Sequence, residues 1–145
     1  MSKIRLGLVG CGGMGHRHLY GLAELYKVGL CRFEPSVVCD PRRENAESLA
    51  QKIKEIFGTQ PVIVGNISEI KDQDLQAIDI CTDPRHHHTI CVEAASKGWD
   101  IMTEKPMGLT VRACQIMRQA SDEAGCILSV AENYRRDPIN RMGKA

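Results

Sequence analysis

A glycine-rich run near the start of the chain, GCGGMG at positions 10–15, has the residue types and spacing of a phosphate-binding loop. In the pattern G-x-G-x-x-G, the first glycine permits a tight turn, the second lets the backbone approach a pyrophosphate, and the third lets a helix pack closely on a strand. The N–H groups at the start of that helix would face the phosphates. A glycine-rich turn that binds nothing is the alternative. The predicted dinucleotide contacts are Gly10, Gly12, Gly13, Met14 and Gly15.

An acidic residue at the end of the second predicted strand extends this pattern. Asp40 lies 25 positions after Gly15, and a carboxylate at this place accepts hydrogen bonds from ribose hydroxyls and repels a 2′-phosphate. Arg42, followed by Arg43, could pair with a 2′-phosphate and weaken that preference, or could lie in the solvated first turn of a helix. The prediction is therefore NAD as the cofactor, with NADP possible.

A second group of residues that could do chemistry is Glu104-Lys105-Pro106. A lysine beside a bound nicotinamide could donate a hydrogen bond to a substrate oxygen and stabilise the negative charge that develops there during hydride transfer. Pro106 could place Lys105 in a cleft through a turn with a cis peptide bond. The alternative is a solvent-exposed lysine in an ordinary proline turn, so the residues alone leave this role open.

Three consecutive histidines at positions 86–88 raise the question of a metal site. Adjacent residues in a helical turn point about 100° apart, so three in a row cannot easily reach one ion. The seven cysteines lack the C-x-x-C spacing of a zinc knuckle or a redox motif. No metal site is predicted, and the cysteines are expected to be mostly buried thiols of a cytoplasmic protein.

The elements that must position these residues follow from short apolar runs that alternate with amphipathic stretches. The predicted strands are Ile4–Val9, Ser36–Cys39, Val62–Val64, Ala77–Cys81, Asp100–Thr103 and Ile127–Ala131. The predicted helices are Met14–Tyr26, Arg42–Phe57, His86–Lys97 and Val111–Ala124. Continuous apolar strands between helices indicate an α/β fold with a parallel sheet covered on both faces. With a glycine loop after the first strand, the expected architecture is a single Rossmann-type domain, doubly wound in the order 3-2-1-4-5-6.

Polar residues cluster after the fourth, fifth and sixth predicted strands, at 82–88, 104–106 and 133–136. Ligands bind outside the carboxyl ends of the strands in such sheets, so these clusters and the glycine loop are expected to share one site. The net charge of +1 and the aromatic content of 4% give no case for nucleic acid or an anionic membrane as a partner. No apolar run is long enough to span a bilayer.

Together, these motifs resemble the N-terminal half of the Gfo/Idh/MocA family, named after glucose-fructose oxidoreductase, inositol dehydrogenase and MocA. The resemblance covers nearly all of the 145 residues. Its most specific part is Glu104-Lys105-Pro106 at this distance from the glycine loop. It also rests on His18 after the loop, Asp40, Thr82 with His87, Gly98 and Tyr134-Arg135.

The resemblance implies an NAD(P)-dependent oxidoreductase that acts on a sugar, a cyclitol or a related polyol, or on its keto form. In such enzymes the lysine matching Lys105 contacts the reacting substrate, and the glutamate matching Glu104 lies along the nicotinamide ribose. Residues matching Thr82 and His87 line the cofactor groove. One departure is Asp83-Pro84 where the family usually has Pro-Asn, which affects the fine geometry of the groove and not the fold.

We expect residues 1–132 to form the NAD(P)-binding domain and residues 133–145 to begin the connection to a second domain. The resemblance implies that such a domain supplies the substrate pocket, an aspartate and a histidine for acid–base chemistry and any oligomer interface. The 145-residue chain should then bind a dinucleotide but turn over poorly. The alternatives are a non-catalytic NAD(P)-binding regulatory or scaffold protein and a methyltransferase, whose chemistry has no role for Glu104-Lys105-Pro106.

Overall fold

The computed structural model describes residues 3–71 and 75–143, which form alternating strands and helices. The strands are β1 (Ile4–Val9), β2 (Phe33–Cys39), β3 (Val62–Val64), β4 (Ala77–Ile80), β5 (Asp100–Thr103) and β6 (Leu128–Val130). The helices are α1 (Gly13–Lys27), α2 (Arg43–Phe57), α3 (Pro84–Ser96), α4 (Val111–Ala124) and the short α5 (Pro138–Met142). Short 3₁₀ turns lie at Ile67–Glu69 and Asn133–Arg136.

The six strands form one sheet in the order β3-β2-β1-β4-β5-β6, and each neighbouring pair is parallel. This is the predicted doubly wound Rossmann arrangement. Strands β2 and β3 are added on one side of β1, and β4, β5 and β6 are added on its other side. This change of side opens a crevice at the carboxyl ends of β1 and β4. The glycine loop follows β1, so the topology places it at this crevice.

Apolar side chains fill both faces of the sheet, as continuous apolar strands require. On one face, α1 and α2 pack against β1 and β2 with fully buried residues such as Leu8, Leu19 and Leu49. On the other face, α3 and α4 contribute to a core that includes Trp99 and Met117. The helices packed on both faces thus hold the carboxyl ends of the strands in fixed positions.

Two predicted boundaries differ from the structure by more than one residue, each for a local reason. Strand β2 begins at Phe33 and not at Ser36. Pro35 is tolerated there because β3 pairs only with Val37–Cys39, so that within residues 3–71 and 75–143 the first half of β2 has no partner strand on that side. Helix α3 begins at Pro84 and not at His86, since Asp83 caps it by accepting a hydrogen bond from the Arg85 N–H at 2.9 Å.

After β6, the chain forms a 3₁₀ turn and then the five-residue helix α5. The apolar side chains of Ile139 and Met142 in this helix are more than three-quarters exposed. Within residues 3–71 and 75–143, no helix combines the length and the apolar character needed to cross a membrane.

Candidate functional site

The glycine loop connects β1 to α1 and leaves the start of that helix open. Gly12 is the N-cap residue, and no side chain among the described residues makes a capping hydrogen bond there, so the first N–H groups of the helix are available to a ligand. A Cβ atom at Gly12 would find no heavy atom within 4 Å. This is the free space that a close approach of pyrophosphate to the backbone requires, so the loop fits a dinucleotide.

The other two glycines of the motif are required by the protein's own backbone. Gly10 has a φ of +93°, and a Cβ there would lie 2.7 Å from the carbonyl carbon of Cys81 at the end of β4. A Cβ at Gly15 would overlap the carbonyl oxygen of Gly10. These two positions therefore hold the loop against β4 and α1, while Gly12 is kept free for a ligand.

Asp40 lies directly after β2 and is nearly buried, with 8% of its surface exposed. One carboxylate oxygen accepts a hydrogen bond from the Cys11 N–H at 2.8 Å, and the other accepts one from the Arg42 N–H at 2.8 Å. The Asp40 carboxylate is thus fixed beside the glycine loop. Arg42 itself is exposed at the rim.

A cleft of about 580 Å³ runs along the carboxyl ends of β1, β2 and β4. Its lining combines the glycine loop, the acid after β2 and polar residues after β3 and β4. The residues that define it are Gly10, Gly12, Asp40, Arg42, Asn66 and Thr82. This cleft has the place and the lining expected for the adenosine half of a dinucleotide.

A second cleft, of about 610 Å³, lies on the other side of the glycine loop. Met14 of α1 and Lys105 after β5 both line it. The peptide bond between Lys105 and Pro106 is cis, which is one of the two conformations that the sequence left open. The Lys105 side chain is 40% exposed, and its Nζ atom lies 3.8 Å from a carboxylate oxygen of Glu104. An ammonium group is thereby presented to a cleft that adjoins the start of α1.

Glu104 is buried and takes part in a chain of charged groups behind Lys105. Its Oε2 atom accepts a hydrogen bond from the Lys105 N–H at 2.9 Å, and its Oε1 atom lies 3.0 Å from Nε2 of His18. The other ring nitrogen of His18, Nδ1, lies 2.7 Å from a carboxylate oxygen of Asp79 in β4. The hydrogen bond to Asp79 is the main cause that raises the pKa of His18 to about 9, so the ring is protonated at neutral pH.

His18, Asp79 and Cys81 place three donor atoms within 4.8 Å of one another. The contacts of these residues account for the grouping without a cation, because the His18 ring already binds Asp79. In addition, burial and the nearby Asp79 carboxylate raise the pKa of the Cys81 thiol far above its ordinary value. A thiol that resists ionisation is a poor metal ligand.

The family of the chain follows from comparison with known proteins. A family model described as "Oxidoreductase family, NAD-binding Rossmann fold" (GFO_IDH_MocA) matches residues 4–132. The chain belongs to this family. The matched range takes in the glycine loop, Asp40, Thr82 and the Glu104-Lys105 turn, so the domain is an NAD-binding Rossmann domain of the Gfo/Idh/MocA oxidoreductases, as the sequence predicted.

The relatives that the chain resembles include dehydrogenases named for a sugar derivative and for a polyol. The chain is 31% identical to levoglucosan dehydrogenase of Pseudarthrobacter phenanthrenivorans, over 99% of this chain and 37% of that protein. It is 27% identical to scyllo-inositol 2-dehydrogenase (NAD(+)) of Bacillus subtilis, over 94% of this chain and 37% of that protein. The chain therefore spans little more than a third of the length of these relatives.

A solved structure in the same family holds a nicotinamide cofactor. The WlbA dehydrogenase of Bordetella pertussis, in complex with NADH and UDP-GlcNAcA, superposes with a TM-score of 0.76 and 29% identity, over 93% of this chain and 36% of that one. An NAD-binding oxidoreductase of Klebsiella pneumoniae gives a TM-score of 0.82 and 26% identity, over 99% of this chain and 38% of that one.

The prediction that His87 lines the cofactor groove needs a correction. Its side chain is fully buried. One ring nitrogen lies 3.0 Å from the carbonyl oxygen of Thr82, and the other lies 3.2 Å from that of Pro106. In this Gfo/Idh/MocA domain, His87 thus joins the turn after β4 to the turn after β5 from inside the protein, and it shapes the groove without lining it.

The neighbouring histidines face elsewhere. His86 is exposed and lines the first cleft, whereas His88 is partly buried in a shallow groove beside Arg85. Among the residues that the structure describes, the three consecutive histidines form no common group of donor atoms. Their three different directions follow from the helical geometry on which the sequence prediction was based.

The sequence analysis did not identify Asp79 as a residue of the site. It named His18 only as part of the family resemblance and assigned it no contact. Asp79 had a visible signal, because a carboxylate inside the apolar run Ile78-Asp79-Ile80 must find a partner when it is buried. His18 stands one helical turn after Gly15 and so shares its face of α1. Nothing in the linear sequence says that these residues meet Glu104.

Proposed function

We propose that this domain takes part in hydride transfer between a nicotinamide cofactor and a carbinol carbon of a sugar, cyclitol or related polyol. The observation that carries the proposal is the position of Lys105, whose ammonium group lines the same cleft as Met14 at the start of α1. Bound NAD would supply the hydride acceptor at C4 of its nicotinamide ring. The protein's part is then to hold the substrate oxygen. The proton that leaves the hydroxyl group during oxidation would pass to a base, which the resemblance places in a second domain.

Lys105 is proposed to bind the substrate oxygen. A protonated lysine donates a hydrogen bond to that oxygen and stabilises the negative charge on it while hydride moves. The backbone of Lys105 is held in place, because Glu104 is buried and its carboxylate accepts a hydrogen bond from the Lys105 N–H. Gly10, Gly12, Gly13, Met14 and Gly15 would hold the pyrophosphate, with Asp40 at the adenosine ribose and Thr82 along the groove.

The rest of the substrate site is proposed to come from a further domain, reached through residues 133–145. The support is the length of the relatives, of which this chain covers 37%. Binding energy from remote parts of a substrate contributes to turnover, so the 145-residue chain should bind the cofactor well and turn over poorly. A sugar, cyclitol or related polyol as the substrate agrees with the names of relatives such as levoglucosan dehydrogenase and scyllo-inositol 2-dehydrogenase.

The test is an assay of hydride transfer by a form of the protein that carries a substrate-binding domain. A panel of inositols, aldoses, anhydrosugars and nucleotide sugars would be scanned with NAD while NADH absorbance is followed, and their keto forms would be scanned with NADH. We expect turnover with at least one member and a strong loss in Lys105→Ala. Saturable NADH binding without hydride transfer in either direction would instead support a regulatory or scaffold role.

A further inference from the structure

We propose that His18 is a positioning residue whose doubly protonated ring joins α1 to the Glu104-Lys105 turn and so fixes Lys105 relative to the cofactor-binding loop. We call His18, Asp79 and Glu104 the clamp. The effect of the clamp on turnover rests on the proposed function, but its existence does not. His18 lies in the second turn of α1, three residues after Gly15. Its side chain is 14% exposed, so solvent has little access to the contacts it makes.

Between two ionised carboxylates, the hydrogen-bond geometry requires a proton on each ring nitrogen. Nδ1 faces Asp79 at 2.7 Å, and Nε2 faces Glu104 at 3.0 Å. A carboxylate can only accept, and a neutral imidazole has a single N–H, so it would leave one of the two acids without a donor. An ionised acid that is buried without a partner is costly, and the doubly protonated ring satisfies both.

The clamp leads directly to the lysine. Glu104 uses one carboxylate oxygen for His18 and the other for the Lys105 backbone N–H at 2.9 Å. Asp79 is 1% exposed within β4, at the centre of the sheet, and provides a fixed anchor. The clamp therefore connects the helix that begins at the phosphate-binding loop, the central strand and the proposed catalytic turn. A shift of about 1 Å in such a turn can cost a hundred-fold in rate.

Other charged and titratable groups face the same region. Arg17 of α1, Cys81 after β4, Lys105 after β5, and Glu132 and Asp137 after β6 lie around the clamp or line the second cleft with it. Glu132 and Asp137 each cap the backbone of their own turn. The two carboxylates in contact with the ring are therefore the main electrostatic influence on it. They raise the pKa of His18 to about 9, which agrees with a doubly protonated ring near neutral pH.

The first experiment uses the 145-residue chain with ¹⁵N labelling and needs no activity. At pH 7.5, NMR of the His18 ring should show both nitrogens protonated, and the Lys105 amide signal should titrate with the ring at about pH 9. A neutral His18 ring at pH 7.5 would overturn the inference, and because this measurement is made on the unaltered chain, it does not depend on a variant that folds.

The second experiment compares His18→Gln with His16→Gln. His16 lies on the same helix, is partly buried, and has no carboxylate partner in the described ranges 3–71 and 75–143. In the active form, His18→Gln should lower kcat by about ten- to a hundred-fold while KM for NAD changes less than about three-fold. The unmodified protein should lose kcat above about pH 9, where the His18 ring loses a proton, and this loss should be absent in the variant. His16→Gln should behave like the unmodified protein.

The two failures can be told apart. If no substrate of the panel is turned over, the proposed function is wrong, and if Lys105→Ala retains full activity, the role given to Lys105 is wrong. In both cases the NMR result still decides whether the clamp exists. If the ring is doubly protonated and Lys105→Ala is inactive, but His18→Gln keeps full kcat or loses only cofactor affinity, His18 is structural and the positioning role is wrong.

Discussion

Lys105→Met should lose about a hundred- to ten-thousand-fold in kcat and bind NADH as the unmodified protein does. Methionine keeps the length of the side chain but removes the ammonium group, which is the proposed donor to the substrate oxygen. The Lys105 side chain is 40% exposed and packs into no core cluster, so the free energy of unfolding should change by less than about 0.5 kcal/mol. Steady-state kinetics and an NADH titration of the same preparation measure both quantities.

The matched control is Lys54→Met, which removes an exposed lysine near the end of α2, outside both clefts. It should leave kcat and the NADH Kd unchanged. A Lys105→Met variant with the kcat of the unmodified protein would show that the lysine does not contact the reacting atoms. In that case the second cleft would need another donor for the substrate oxygen.

Gly12→Val should raise the NADH Kd by about a hundred-fold or more and leave the fold intact. The backbone at Gly12, with φ −77° and ψ −158°, is one that any residue can adopt, and a Cβ there meets no heavy atom within 4 Å. The added side chain would instead fill the space left for the pyrophosphate. Loss of two hydrogen bonds to a charged phosphate is worth about 3 kcal/mol or more, which corresponds to that change in Kd.

Two other glycines serve as controls for this prediction. Gly21→Ala, at an open position on α1, should keep the NADH Kd and increase stability by up to about 1 kcal/mol. Gly15→Ala should lower the thermal midpoint, because its Cβ would overlap the Gly10 carbonyl oxygen. If Gly12→Val binds NADH normally, the phosphates do not approach the loop where the motif places them.

The sequence was sufficient for the sheet because its signals are local. Apolar runs give the strands, and the glycine loop after β1 selects the doubly wound order that the structure shows. The start of β2 was missed because Pro35 normally ends a strand, and the absence of a β3 partner beside it is a tertiary fact. The start of α3 was missed because the polar run after β4 hid the cap made by Asp83.

The roles of the site residues were harder to predict from the sequence than the sheet was, because several of them depend on contacts between residues that are far apart in the chain. Residues whose role depends on their chain neighbours, such as Gly12, could be assigned from spacing. The roles of His18 and His87 depend on which distant atoms their rings reach. His87 was placed in the groove because it follows Thr82 in the motif, yet its ring points inward to the Pro106 carbonyl. His18 reaches Glu104, which is 86 positions away.

Titration of the 145-residue chain with NADH, followed by the fluorescence of the reduced nicotinamide, tests the central claim most directly. The open start of α1 and the fixed Asp40 carboxylate predict saturable binding with a Kd at or below about 1 mM, and weaker binding of NADPH. Absence of saturation at about millimolar NADH would contradict cofactor binding by this domain, and tighter binding of NADPH would contradict the role given to Asp40.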